Sequence, residues 1–315
     1  MSPVAINEPT APVNEPHPLK TAVATSPAPT SGFKQSLNEL SSNPIDRVWR
    51  GNKEGTINLP LVPDFKGDLY AKRQWLKEHL AGAFQYWGKL GYGEGVAGHI
   101  TVRDSVMPDH YWMNPFAVHF SQITVSNLCL VTPEGYVHPD GAQLPINTAG
   151  FHIHSAIHEQ RPEVNAIAHC HSLAGKAWSV FGRPIDCLVQ DSCFFYDNLA
   201  VYKSFGGIVL AQEEGTNIAK ALGPKNMTAI LQNHGLLTMG DTVDGCVYYF
   251  QLLERLCDLQ LKVEAAAANG IPKNYIAPED AAFTAATLQS PDSLYLSFQV
   301  EYNLLVEEKG HKFLK

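Results

Sequence analysis

Three histidines in two short segments have the residue types and spacing of metal ligands. His169 and His171 follow an apolar run that predicts a buried strand. Because residues two apart in a strand point to the same face, both imidazoles can aim at one point. His234 follows a second apolar run and precedes a glycine, which lets backbone and substrate approach closely. The pattern predicts a divalent metal site that suits Zn, Fe(II), Co or Mn.

The other histidines and Cys170 are interpreted structurally. A lone His-x-His pair is more often structural than ligating. The third histidine at a strand end, together with the resemblance described below, reverses that preference. Cys170 lies between two candidate ligands, points to the opposite face and is predicted to be a core thiol. His79 and His158 are predicted to be exposed helix residues.

Elements that could position these side chains alternate between helix and strand. Helical spacing of apolar residues predicts helices at 65–91, 148–160, 173–181, 216–222 and 243–268. Short β-branched and apolar runs predict strands at 100–103, 111–113, 128–131, 164–168, 208–211 and 229–231. The pattern favours an α/β fold, with a helical C-terminal extension at 276–315 after a metal-binding domain at 46–275. Residues 1–45 are rich in Pro, Ser and Thr and nearly free of aromatics, so they are predicted to be a disordered tail.

Composition restricts the classes of partner. The chain has 23 Lys and Arg against 31 Asp and Glu, a net charge of −8. Without a basic block, nucleic-acid binding is disfavoured, because phosphate contacts need clustered cations. The six cysteines are scattered, which favours a reducing compartment. No signal peptide or membrane-spanning run is recognised, so we expect a cytoplasmic protein without a membrane partner.

Several segments, in order along the chain, resemble the class II aldolase/adducin domain. They are EGVAGHITVRD at 94–104, NTAGFHIH at 147–154, RPEV at 161–164, AHCHS at 168–172, QD at 190–191 and NHGLLT at 233–238. The resemblance spans roughly residues 65–275. It implies a three-layer αβα fold with a nine-stranded mixed or antiparallel sheet, assembled as a homotetramer. It also implies zinc on His169, His171 and His234, polarising a small-molecule hydroxyketone and stabilising the enediolate as a carbon–carbon bond breaks or forms.

The chain departs from the aldolase pattern at its acid. The catalytic glutamate of the aldolases falls on Gly150, and the asparagine of the phosphate-binding turn falls on His99. Because glycine cannot transfer a proton, the sugar-phosphate aldolase mechanism is not expected to be intact. On a helix starting near Thr148, Gly150 and His154 share a face, so His154 is the candidate to fill the vacated space. A structural histidine that is hydrogen-bonded to the backbone is the equal alternative.

Further candidates follow from the same match. Glu94 and Tyr196 join His154 as possible acid/base groups, although each residue type is also common as a turn partner or cavity wall. Gly98, His99 and Thr148 are the substrate-binding candidates, because they match the phosphate-binding turn and the hydroxyl pair of the aldolases.

Three functions are compatible with these residues. The first is a metal-dependent lyase of retro-aldol or decarboxylation type, acting on a small hydroxycarbonyl or carboxylate substrate through a metal-stabilised enolate. The second is a non-haem iron oxygenase acting on aromatic acids. The third is a non-catalytic adducin-like scaffold, which the retained histidines and the absence of a long basic tail disfavour.

Overall fold

A computed structural model of the chain describes residues 41–207 and 212–315. Its seven helices are α1 Leu69–Lys89, α2 Thr148–Gln160, α3 Leu173–Ser179, α4 Gln212–Leu222, α5 Val243–Ala267, α6 Pro278–Leu288 and α7 Pro291–Lys309. Its seven strands are β1 His99–Arg103, β2 Tyr111–Met113, β3 Cys129–Val131, β4 Ala166–Cys170, β5 Leu199–Tyr202, β6 Thr228–Leu231 and β7 Gly235–Gly240. Both counts refer to the described residues.

The strands form one mixed sheet in the order β3-β2-β1-β4-β7-β6-β5. The β5–β6 pair is parallel, and every other pair is antiparallel. The α/β class and the mixed sheet are therefore confirmed. The described residues contain seven strands, whereas nine were expected, and the predicted strand at 208–211 lies outside them.

Helices cover both faces of the sheet, and the alternation of side chains along a strand explains why. In β4, Ala166 and Ala168 join the large core cluster beneath α1, α3, α5 and α7. Ile167 points the other way and packs with residues of α2 and α4, among them Ile153 and Ile218. His169 has the parity of Ile167, so its side chain lies on the α2 side of the sheet.

Helix α2 begins and ends where local chemistry predicts. The side chain of Asn147 accepts a hydrogen bond from the backbone N–H of Gly150 at 3.0 Å, which caps the first turn. The helix ends at Gln160, before the pair Arg161-Pro162. Its predicted bounds, 148–160, are confirmed.

The C-terminal helices belong to the same core as the sheet. Leu294, Phe298 and Leu305 of α7 are buried in the cluster that contains α1 and α5. The 3-10 helix Pro44–Arg47 begins inside the segment predicted to be disordered, while residues 1–40 of that prediction lie outside the described part of the chain. No helix in the described part of the chain has the length and apolar character needed to cross a membrane.

Candidate metal centre

The three predicted histidines come together at one end of the sheet. Metal-ligating nitrogens of His169, His171 and His234 all lie within 4.8 Å of one another. Their ring centroids are 5.2 Å apart for His169–His171, 4.6 Å for His169–His234 and 4.9 Å for His171–His234. Such a spacing lets three nitrogens converge on a single ion and leaves positions for a substrate.

Strand pairing orients the first of these ligands. His169 stands opposite Leu237 in the β4–β7 ladder, and its Nδ1 lies 2.8 Å from the carbonyl oxygen of Leu236. Since a carbonyl oxygen only accepts, Nδ1–H donates and the lone pair is on Nε2. A backbone acceptor of this kind is the usual outer partner of a metal-binding histidine. The site therefore fits a divalent metal.

A buried carboxylate fixes the turn that carries His171. Glu254 accepts hydrogen bonds from Ser172 Oγ at 2.5 Å, Ala174 N at 2.8 Å and Gly175 N at 2.6 Å. These bonds cap the N-terminus of α3, where the backbone N–H groups have no helical partner. The chain leaving β4 is thereby held in place immediately after His171.

His234 lies in the hairpin between β6 and β7. Asn233 has a left-handed backbone with φ of 58°, and Gly235 has φ of 156°. The sequence pattern placed His234 after a strand but did not identify β7, which pairs with β4 on the far side of the hairpin. The hairpin thus brings the third ligand to the other two.

Burial keeps the ligands neutral, the form in which an imidazole binds a metal. Desolvation, aided by the neighbouring His171, lowers the pKa of His234 to about 4. Desolvation first, and then the neighbouring imidazoles, lower the pKa of His169 well below its usual range. Desolvation also lowers the pKa of His171, although the carboxylate of Glu94 opposes that shift.

The histidines open onto a cavity of about 460 Å³. Side chains of apolar residues form much of its wall: Val96, Ala97, Phe116, Ala149, Ile153 and Phe205. Lys176 also lines the cavity and makes an ion pair with Glu94. No Asp or Glu is among the described lining residues. The sequence pattern did not identify Lys176, Ile153 or Phe205 as site residues, since they lie in segments with ordinary helix or loop composition.

His99, and not His154, fills the space beside Gly150. A Cβ placed on Gly150 would lie 2.5 Å from Cε1 of His99 and 2.6 Å from each of its ring nitrogens. His99 stands opposite His169 in the β1–β4 ladder, and their ring centroids are 5.3 Å apart. His154 is fully buried behind His99, with ring centroids 4.4 Å apart.

Two histidines predicted to be exposed are buried. His158 of α2 is 1% exposed and stacks on Tyr111 at 4.4 Å. His79 of α1 is 5% exposed, and its Nδ1 lies 2.6 Å from Asp244 Oδ1. Both were misassigned because neighbouring elements cover helix faces that the sequence pattern could not see. Cys170 is fully buried, as predicted.

The remaining predicted site residues lie at different distances from the cavity. Gly98 lines it with a left-handed φ of 98°, and a Cβ there would approach Cys170 Cβ to 2.8 Å. Thr148 is exposed at the start of α2 and does not line the cavity. Tyr196 lines a separate cavity with Cys187, so within this chain it is not brought to the histidines, and its catalytic role stays a prediction.

Comparison with known proteins identifies relatives of the whole domain. A model of the family "Class II Aldolase and Adducin N-terminal domain" matches residues 78–261. The 4-hydroxy-3-prenylphenylpyruvate oxygenase/4-hydroxy-3-prenylbenzoate synthase of Streptomyces roseochromogenus subsp. oscitans is 42% identical over 209 residues, which are 65% of this chain and 74% of that protein. Decarboxylase NovR of Streptomyces niveus is 41% identical over 220 residues, which are 68% of this chain and 80% of that protein.

A solved structure shares the fold. The L-fuculose 1-phosphate aldolase from Glaciozyma antarctica PI12 is 39% identical, with a TM-score of 0.74 over 81% of this chain and 97% of that chain. The resemblance predicted from the sequence segments is thus confirmed. This chain belongs to the class II aldolase/adducin family.

Proposed function

We propose that this protein is a metal-dependent carbon–carbon lyase of decarboxylating or retro-aldol type. Its substrate is a small carboxylate or hydroxycarbonyl compound with an apolar, preferably aromatic, body. The observation that carries the proposal is the cluster of three neutral imidazoles in the wall of a cavity of about 460 Å³. Cavities of this size suit small-molecule ligands.

The donor set defines what a bound metal does. His169, His171 and His234 would hold a divalent ion, zinc by preference, which would act as a Lewis acid towards an oxygen of the substrate. Because all three ligands are neutral, the ion would keep its full charge and favour anionic substrates. The Leu236 carbonyl keeps Nε2 of His169 available by binding Nδ1–H.

The cavity wall supports a substrate with an apolar body. Phe116, Ile153 and Phe205 line it, and an apolar ligand packed against them would exclude water. Lys176 is the single Lys or Arg among the described lining residues, and Glu94 partly neutralises it. This charge suits one carboxylate better than a doubly charged sugar phosphate, whose recognition needs more cationic groups.

The chemistry requires one bond to break and one proton to move. In decarboxylation of a 3-oxo acid the bond between carbon 2 and the carboxylate carbon breaks, its electron pair forms an enolate with the oxygen on carbon 3, carbon dioxide leaves and a proton returns to carbon 2. In a retro-aldol cleavage a substrate hydroxyl loses its proton and becomes the aldehyde oxygen, the carbon–carbon bond breaks, its electron pair forms the enediolate, and a proton returns to the enediolate carbon. His99 lines the cavity beside the metal ligands, whereas His154 lies behind it, so His99 is the group we assign to proton transfer.

A second candidate is an iron-dependent oxygenase acting on aromatic acids. The all-histidine donor set supports it, because such a site accepts Fe(II) and leaves positions for oxygen and substrate. A relative 42% identical is itself named an oxygenase of a prenylated phenylpyruvate. The same apolar cavity would serve either reaction.

Metal content and oxygen consumption distinguish these functions. We would purify the untagged protein without chelator, measure its metals by elemental mass spectrometry, and compare a His171→Ala variant. The zinc or iron form is then incubated with the aromatic 3-oxo acid benzoylacetate, with 4-hydroxyphenylpyruvate and with L-fuculose 1-phosphate, while oxygen uptake, carbon dioxide and aldehyde are followed.

Each result has a defined meaning. Carbon dioxide or aldehyde release without oxygen uptake, lost in the variant, supports the lyase. Oxygen uptake with iron supports the oxygenase. Failure to bind metal after reconstitution, with equal behaviour of both proteins, contradicts both enzymes and favours a scaffold.

We also propose a homotetramer, as the family resemblance implies. Exposed apolar side chains on and after α3 would be covered in such an assembly: Leu173, Val180 and Phe181. Light scattering after size-exclusion chromatography should give four times the 34.6 kDa chain mass. A monomer at micromolar concentration would contradict this proposal.

A further inference from the structure

A row of buried polar side chains runs behind the cavity from His158 to His99. His158 Nδ1 lies 3.2 Å from the carbonyl oxygen of Val164, and its Nε2 lies 3.0 Å from Thr101 Oγ1. Thr101 Oγ1 is also 2.9 Å from His154 Nδ1. Thr101, His154 and His158 are each no more than 1% exposed. This row links β1 to two successive turns of α2.

The carbonyl at one end sets the direction of every hydrogen bond in the row. Because the oxygen of Val164 can only accept, His158 Nδ1–H donates to it and Nε2 of the neutral ring is left as an acceptor. Thr101 has one hydroxyl proton, which it must donate to His158 Nε2. Its oxygen then accepts from His154 Nδ1–H, so His154 carries its lone pair on Nε2.

At the other end of the row, three ring nitrogens lack a hydrogen-bond partner. His154 Nε2 and both ring nitrogens of His99 are buried without a hydrogen bond. Their ring centroids are 4.4 Å apart, so His99 is the neighbouring imidazole whose N–H can pair with His154 Nε2. Since an unpaired buried acceptor is costly, this arrangement is preferred. His99 lines the cavity, and its other ring nitrogen then carries the lone pair.

We infer that Thr101, His154 and His158 are positioning residues that set the tautomer of His99, so that His99 presents a hydrogen-bond acceptor to a hydroxyl group of the substrate. The glutamate of the family's aldolases is replaced by this imidazole, which carries no negative charge. The expected ligand is therefore an alcohol or enol hydroxyl on an otherwise apolar acid. The substrate part of this inference rests on the proposed function, whereas the direction of the hydrogen bonds does not.

Nitrogen NMR tests the direction of the hydrogen bonds without any substrate. In protein labelled with ¹⁵N in the histidine rings, His154 and His158 should both show the Nδ1–H tautomer, assigned with His154→Asn and His158→Phe variants. In Thr101→Val, which removes the hydroxyl but keeps the shape, His154 should no longer be held in that tautomer. Protonation of His154 on Nε2 in the unaltered protein would overturn the inference, whether or not an activity is found.

Kinetics test the positioning role on whichever probe is turned over, beginning with 4-hydroxyphenylpyruvate. Thr101→Val should lower kcat by about 10- to 100-fold, as loss of an outer partner commonly does, with little change in KM or bound metal. Thr101→Ser keeps the hydroxyl and should restore most of kcat. His158→Phe, which keeps the ring stacked on Tyr111, replaces Thr101→Val if that variant fails to fold. Equal kcat in the Val and Ser variants would overturn the role.

Discussion

The imidazole of His99 occupies space that exists only because position 150 is glycine. A Cβ on Gly150 would be 2.5 Å from Cε1 of His99, closer than non-bonded carbons can approach. The two residues lie on different elements, β1 and α2. A side chain at 150 and the imidazole of His99 in its present position are therefore mutually exclusive.

This exclusion predicts a strong coupling between the two positions. Gly150→Ala should destabilise the protein by about 1–3 kcal/mol through overpacking against His99. In a His99→Ala background the same change should be neutral, or stabilising by up to about 1 kcal/mol, because alanine favours helix. Urea unfolding of the four proteins in this double-mutant cycle measures the coupling. An equal cost of Gly150→Ala in both backgrounds would show that the His99 imidazole and a side chain at position 150 do not compete for this space.

Loss of one ligand should remove the metal. Loss of a residue that hydrogen-bonds to a metal ligand typically weakens metal binding by about 10- to 100-fold. His171→Ala and His234→Ala should each weaken it further, since each removes a direct donor. Elemental mass spectrometry after dialysis, or titration with zinc, measures this loss. His138→Ala, which lies outside the cluster of three ligands, is the matched control and should retain full metal. Equal metal in all four proteins would contradict the assignment of ligands.

The carboxylate of Glu254 should support both folding and the metal site. Glu254→Gln puts an amide N–H among three donors, so we expect a loss of about 2–4 kcal/mol in the free energy of unfolding. Metal affinity should fall as well, because the turn after His171 loses its cap. Glu308→Gln changes a carboxylate of an exposed ion pair with Lys89 and should stay within about 0.5 kcal/mol. Urea unfolding and zinc titration of both variants measure these effects. Equal losses in the Glu254 and Glu308 variants would contradict the role of Glu254.

Buried neutral histidines should make the fold sensitive to acid. Desolvation first, and then the charge of Arg103, lower the pKa of His158 to about 3 from its usual value near 6.5. Its contribution to stability is thus fully present above pH 6.5 and is lost as the pH falls towards 3, because the unfolded chain binds the proton first.

Replacement of His158 should therefore flatten the pH dependence of stability. His158→Phe should reduce the slope of unfolding free energy against pH between 3 and 6.5 by up to about 1.4 kcal/mol per pH unit, the value for one proton. Urea unfolding at several pH values gives both slopes. Identical slopes would mean that this imidazole takes up its proton equally in the folded and unfolded chain.

Local sequence patterns were sufficient for much of the fold. The bounds of α2 were predicted because its start and stop are local: Asn147 caps the first turn, and Pro162 follows the end. The His-x-His pair was recognised because alternation along a strand places both rings on one face. Strands β5 and β7 were not predicted. β7 is buried along its whole length, so it shows no alternation of apolar and polar residues.

Neighbours that are distant in the sequence decided the rest. His158 and His79 have the spacing of surface helix residues, yet Tyr111 and Asp244 from other elements cover them. By itself the sequence determined the class of fold and the three histidines that come together, because strand parity and turn residues act over a few positions. Which side chain fills the space beside Gly150 was decided by tertiary packing: the β1–β4 register sets His99 opposite His169, and α2 places Gly150 against the His99 ring. That register joins segments about 70 residues apart, a separation over which local periodicity carries no information.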